Sequence, residues 1–85
     1  MPYAVLLSPA AERDHKRLPP ESRPRITEAL LALEADPRPS GVTKLAGSAS
    51  RWRMRVGDYR ILFEVRDSDQ TVLVLRIAHR RDVYR

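Results

Sequence analysis

Eighty-five residues, 42% of them hydrophobic and 32% charged, leave room for one small core and exclude a multidomain enzyme or a repeat array. With no Cys and two His, the chain excludes a disulfide scaffold, a zinc knuckle, a thiol enzyme, an iron–sulfur site and a three-histidine metal site. The net charge of +5 and pI near 10.4 point instead to a polyanion or an acidic protein as partner.

Residues 2–7 (PYAVLL) are apolar on both faces and predict a short, buried strand. Ser8-Pro9 reads as an N-cap followed by a first helical residue, and the helix is predicted to run to about Leu18, where Pro19-Pro20 stops it. In the next segment Pro24 is tolerable within a first turn. The stretch RITEALLALEAD sets Ile26, Ala29, Leu30 and Leu33 at helical spacing, and Asp36-Pro37 ends it. Residues 38–50 carry Pro39, Gly41, Gly47 and three serines and read as a loop. From Arg51 the period becomes two. Trp52, Met54 and Val56 alternate with arginines, and Gly57-Asp58 is a hairpin turn. Tyr59, Ile61, Phe63 and Val65 then alternate in their turn. After a second turn at 67–70, residues 71–78 (TVLVLRIA) are apolar on both faces and predict a central strand beside the first one. The expected class is α+β in the order β-α-α-β-β-β. A helical hairpin packs on one face of a small, mostly antiparallel four-stranded sheet, and residues 1–85 form a single domain. Apolar runs of a few residues give no membrane span, and the first residues lack the basic start of a signal peptide. A cytoplasmic location without membrane contact is expected.

The charge is unevenly placed. Residues 51–85 hold nine arginines against five acids, whereas residues 1–50 are nearly balanced. With 14 Arg and only 2 Lys, a composition bias accounts for the choice of Arg but not for its positions. A Gly57-Asp58 turn sets Val56 opposite Tyr59 and Arg55 opposite Arg60. Arg53, Arg55 and Arg60 then share the face away from the helices. Like charges directly opposite on a sheet repel, so such a row suits an incoming phosphate. Glu64 on that face offsets part of it. The alternative is a solvated basic face of a half-exposed sheet. The tail His79-Arg80-Arg81-Asp82-Val83-Tyr84 leaves the last strand and can fold back over the same face, which would add Arg80 and Tyr84. Tyr84 there can stack on a base or exchange a proton, or merely fill a gap. His79 is the one group near the arginines with an ordinary pKa close to neutrality. His15, in line with Ala11 and Leu18, reads as a packing residue.

The ordered set Lys44-Leu45-Ala46-Gly47, Trp52-Arg53-Met54-Arg55-Val56-Gly57-Asp58-Tyr59-Arg60-Ile61-Leu62-Phe63 and His79-Arg80-Arg81-Asp82-Val83-Tyr84 resembles the RelE/ParE toxin superfamily of type II toxin–antitoxin modules. The RelE branch is the nearer, and the resemblance covers essentially the whole chain. It implies a bacterial or archaeal mRNA interferase, a ribosome-dependent endoribonuclease that cuts mRNA in the A site and inhibits translation. Attack by a ribose 2′-OH would leave a 2′,3′-cyclic phosphate and a 5′-OH, with no metal and no cofactor. The implied partners are the ribosome, mRNA and a cognate antitoxin, with operator DNA met only through that antitoxin. By position, Arg53 and Arg55 match the family's two basic residues on that strand, Arg60 the arginine after the hairpin, Arg80 the arginine after the last strand and Tyr84 the C-terminal tyrosine. His79 joins these as a candidate acid or base, and Lys44, Arg51 and Arg81 extend the expected phosphate-binding set. Two departures matter. Ala46 stands where an arginine is common, and the strand lysines are arginines, which bind phosphate but do not give up a proton near neutral pH. Two other functions fit this reading: a ParE-like inhibitor of DNA gyrase on the same fold, and a non-catalytic nucleic-acid-binding module.

Overall fold

The structure, a computed structural model, describes residues 2–83. Five strands and three helices are arranged in the order β1 (Ala4–Leu7), α1 (Pro9–Lys16), α2 (Arg23–Ala32), β2 (Thr43–Lys44), β3 (Arg51–Val56), β4 (Tyr59–Arg66), β5 (Thr71–His79) and α3 (Arg80–Val83). The sheet order is β1-β5-β4-β3-β2. β1 runs parallel to β5 and the other pairs are antiparallel. The class is the expected α+β, and β5 lies beside β1 as its sequence required. The sheet has five strands rather than four because two residues of the presumed loop, Thr43 and Lys44, pair with Arg53 and Trp52. No helix among the described residues is long and apolar enough to cross a membrane.

Local chemistry sets the start of α1. The Ser8 Oγ accepts the Ala11 N–H at 3.1 Å, with Pro9 next in the first turn, which is the N-terminal signature read from the sequence. α1 ends at Lys16, two residues early, and the Arg23 guanidinium donates to the carbonyls of Lys16 (3.1 Å) and Leu18 (3.0 Å) there. α2 ends at Ala32 rather than near Asp36. The Glu34 carbonyl beyond it turns instead to accept the Tyr3 N–H at 2.8 Å. The helices and the turns that follow them bury Ala11, Leu18, Ile26, Leu30 and Leu33 against Ile61, Phe63, Val65, Val72, Val74 and Ile77 of the sheet.

The first strand departs from expectation. β1 is an edge strand, and its burial alternates. Val5 and Leu7 face the helices, whereas Leu6 is 54% exposed, because among the described residues no layer covers the sheet's other face.

Beyond Leu7, the outer edge of β5 has lost its neighbour, and α1 serves it instead. Asp14 accepts the Ile77 N–H at 2.9 Å and the Arg76 guanidinium through Nε (2.8 Å) and Nη2 (3.2 Å). Partial burial pushes the Asp14 carboxyl up, but Arg76 and the Ile77 N–H outweigh it and hold it below the ordinary range. Hydrogen bonds from Arg66 to Glu64, and from Arg38 and then Tyr3 to Asp67, lower those carboxyls as well. A carboxyl whose pKa is depressed by folding stabilises the protein fully above its unfolded pKa. That contribution is lost as pH falls through the folded value. The melting temperature is therefore expected to fall as pH drops below roughly 3.9. Asp14→Asn should start lower and show a shallower acid slope, read by circular dichroism across a pH series.

Candidate nucleic-acid interface

The β3–β4 hairpin has the register that its turn dictates. Val56 pairs with Tyr59, Arg55 with Arg60, Met54 with Ile61 and Arg53 with Leu62. Gly57 supplies the positive φ of +59° that the first central residue of such a turn needs. Even-numbered β3 residues and odd-numbered β4 residues pack toward the helices, so Arg53, Arg55 and Arg60 share the uncovered face. Arg55 is steadied by a hydrogen bond from its Nε to the Gly57 carbonyl at 3.2 Å. Replacing Arg55 by Glu turns a like-charge cross-strand pair into an attractive one. This should raise the unfolding free energy by roughly 0.2–1 kcal/mol, and an unchanged or lower melting temperature would contradict the repulsion inferred from this register.

β5 contributes through an irregularity. Phe63 pairs with Val74, but Leu62 pairs with Arg76, so Leu75 is an extra residue in β5. The bulge is tied from the far side: Ser8 donates its N–H to the Val74 carbonyl (2.9 Å) and its hydroxyl to the Leu75 carbonyl (3.0 Å). Past the bulge the facing of β5 is reversed. Ile77 enters the core opposite Ile61, and Arg76 and Ala78 take the uncovered face opposite Leu62 and Arg60. Arg76 lines this face although nothing in the sequence reading set it there. Its one signal was a lone charge in an otherwise apolar strand.

Two adjoining depressions result. One, of about 350 Å³, is lined by Arg53, Arg60, Leu62 and Arg76, with Leu45 and Asp82 at its border. The other, of about 280 Å³, is lined by Arg55, Arg60, Arg80 and Arg81 around the hairpin tip. Arg60 belongs to both. The first residues of the tail, Arg80 to Asp82, border this face. The Arg80 N–H donates to the Asp58 carbonyl at 2.7 Å, which brings the start of α3 to the hairpin tip, and the Arg80 guanidinium lies 4.0 Å from the Asp58 carboxylate. Asp58 and Asp82 temper the positive field without matching the arginines in number.

The structure thus brings together Arg53, Arg55, Arg60, Arg80 and Arg81, and separates the others. Lys44 pairs with Trp52 and so lies on the helix side of the sheet, away from Arg53. Arg51 shares the uncovered face but pairs with Glu64 at 3.7 Å, outside both depressions. Glu64 also holds Arg66 at 2.7 Å, so its charge offsets the far end of the row rather than the cluster. His79 pairs with Tyr59 and stacks edge-on against it, with ring centroids 5.3 Å apart, on the helix side. Its Nδ1 accepts the Arg81 N–H at 3.3 Å, and its ring is not among the groups lining the arginine depressions. Expecting His79 among the arginines overlooked the reversal that the bulge imposes. His15 packs as read, bonded to Thr27 at 2.8 Å. Tyr84 lies outside the described residues.

A family model for the "ParE toxin of type II toxin-antitoxin system, parDE" matches residues 5–84. The chain belongs to this toxin family. The toxin is 36% identical over 86 residues to Toxin RelG of Mycobacterium tuberculosis, covering 100% of its own length and 99% of that relative. Its structure matches the toxin–antitoxin complex RelBE2 of M. tuberculosis with a TM-score of 0.82 at 31% identity, over 93% of this chain and 99% of that one. The archaeal RelE–RelB complex from Pyrococcus horikoshii OT3 matches with a TM-score of 0.83 at 29% identity, over 94% and 97% of the two chains. The isolated E. coli RelE toxin, 20% identical, shares the fold with a TM-score of 0.80 over 91% and 83%. The protein is a RelE-like type II toxin.

Proposed function

We propose that this toxin is a ribosome-dependent endoribonuclease that cuts mRNA in the A site and stops translation. The observation that carries this reading is the convergence of Arg53, Arg55, Arg60 and Arg80 on one uncovered sheet face, in two depressions that meet at Arg60. Two adjoining cationic hollows suit successive phosphates of a single strand. In the reaction the ribose 2′-OH gives up its proton as its oxygen attacks the adjacent phosphorus, the bond to the 5′-oxygen breaks, and that oxygen takes up a proton as it leaves, so that one proton passes in net from the 2′- to the 5′-oxygen. The products are a 2′,3′-cyclic phosphate and a 5′-OH. Charge builds on the non-bridging oxygens, where guanidinium donors stabilise it. Arginine stays protonated near neutral pH, so these residues act by binding and charge stabilisation rather than as a base. A 2′-OH that the ribosome holds in line requires little help with its proton. Tyr84, matched by resemblance to the family's C-terminal tyrosine, is the candidate for the remaining proton transfer.

A cognate antitoxin is the second partner in this reading, because the RelBE2 and RelE–RelB relatives are toxin–antitoxin complexes. Acidic side chains would complement the arginine face. The matching family model bears the ParE name, which favours a second reading, inhibition of DNA gyrase through protein contacts. Purified toxin in a bacterial translation reaction, with new mRNA 5′ ends mapped, separates the two. Cuts at A-site codons that require ribosomes are expected. Intact mRNA together with lost gyrase supercoiling would overturn the first reading in favour of the second.

A further inference from the structure

We propose that Arg76 is a further RNA-phosphate ligand of this face and that Asp14 of α1 is the residue that positions it, a pair of roles that rests on the endoribonuclease reading. Four observations support it. First, the strand places Arg76 on the uncovered face by a device. Without the extra residue at Leu75, regular pairing would set Arg76 opposite Ile61, in the core, and Ile77 opposite Arg60. Bulges next to functional surfaces re-aim side chains in this way. Second, Arg76 then lines the same depression as Arg53 and Arg60.

Third, Arg76 and Asp14 are unequally sheltered. The Asp14 side chain is 12% exposed and the Arg76 side chain 57% exposed, so the acid is anchored and the guanidinium presented. Asp14 is itself fixed by the Ile77 N–H. Fourth, the contact is a side-on fork. Asp14 engages Nε and Nη2 of Arg76, and five N–H donors on a guanidinium leave others for an incoming oxyanion. Asp14 cancels much of the cation's long-range charge, so Arg76 contributes directed donors rather than general attraction to RNA. A bare Asp14–Arg76 pair that only staples α1 to the sheet is the alternative, and it predicts that activity tracks stability alone.

The test uses the full chain in a bacterial translation reaction. A-site 5′ ends are counted over time against ribosome concentration, at a temperature where circular dichroism shows each variant folded. Arg76→Gln is expected to slow cleavage roughly tenfold or more, the loss expected for a charge-assisted donor. Asp14→Asn leaves the cation present but unaimed, so its maximal rate should fall while its apparent KM does not rise. The double swap Asp14→Arg/Arg76→Asp rebuilds an ion pair with the guanidinium on α1. It should recover part of the melting temperature lost in Arg76→Gln and none of the cleavage. Folded Arg76→Gln cutting at the wild-type rate, or a swap that restores cleavage together with stability, would reduce the pair to a staple and leave the endoribonuclease reading intact. A wild-type toxin that cuts no mRNA would remove both.

Discussion

Under the proposed function, Arg60→Ala lowers ribosome-dependent cleavage by about two to three orders of magnitude, the cost of removing one preorganised donor from a charged transition state. Arg60 is singled out because it lines both depressions, so its loss opens a gap between Arg53 and Arg76 on one side and Arg55 and Arg80 on the other. Its Cα pairs with Arg55 across the hairpin and with Ala78 on β5, and truncation to Ala keeps this ladder and leaves the buried Ile61 and Phe63 beside it in place. The fold should therefore survive. Mapped 5′ ends and a melting curve on the same preparation check both parts. A folded Arg60→Ala variant that cuts as fast as the wild type would move the chemistry off this face.

Phe63→Ala has the largest expected effect on stability, a loss of about 3–5 kcal/mol. Phe63 is fully buried on β4, paired with Trp52 on one side and Val74 on the other. It also stands where the bulge begins, so neighbouring strands cannot close over the void without shifting the register that seats Arg76. Stabilities of small domains lie near 0.05–0.15 kcal/mol per residue, so this one change would take a large share of the total. Urea unfolding monitored by tryptophan fluorescence measures it. A loss under about 1 kcal/mol would mean that the core collapses around the vacancy.

Much of this architecture was legible from spacing. The period-two runs on either side of Gly57-Asp58 define the hairpin pair by pair, down to Arg55 opposite Arg60. The apolar 71–78 segment marks a central strand, and Ser8-Pro9 marks the start of α1. The features that could not be read depend on distant partners. β2 exists because β3 offers it an edge, and nothing in Thr43-Lys44 announces a strand. Leu6 is exposed because the helices cover one face only. The bulge is held by Ser8, more than sixty residues away in sequence, and its effect runs through every residue after it. A shift of one residue changes the face of a strand, which is why Arg76 came to the site and His79 left it. Arg53, Arg55 and Arg60 lie before any irregularity, and the alternation that identified them holds.

The parallel contact between β1 and β5 also orders events during synthesis. Val5 must wait for Val72 to be made before its strand has a neighbour, whereas the β3–β4 hairpin can close as soon as its turn emerges. A growing chain therefore carries an unpaired, apolar first strand until nearly all of the sheet exists, and over that interval it is the segment most open to wrong partners. The arginine face is subject to the same schedule. Arg76 comes from β5 and Arg80 from α3, the last two elements among the described residues, so a chain that has not yet reached Arg80 lacks part of this arginine cluster.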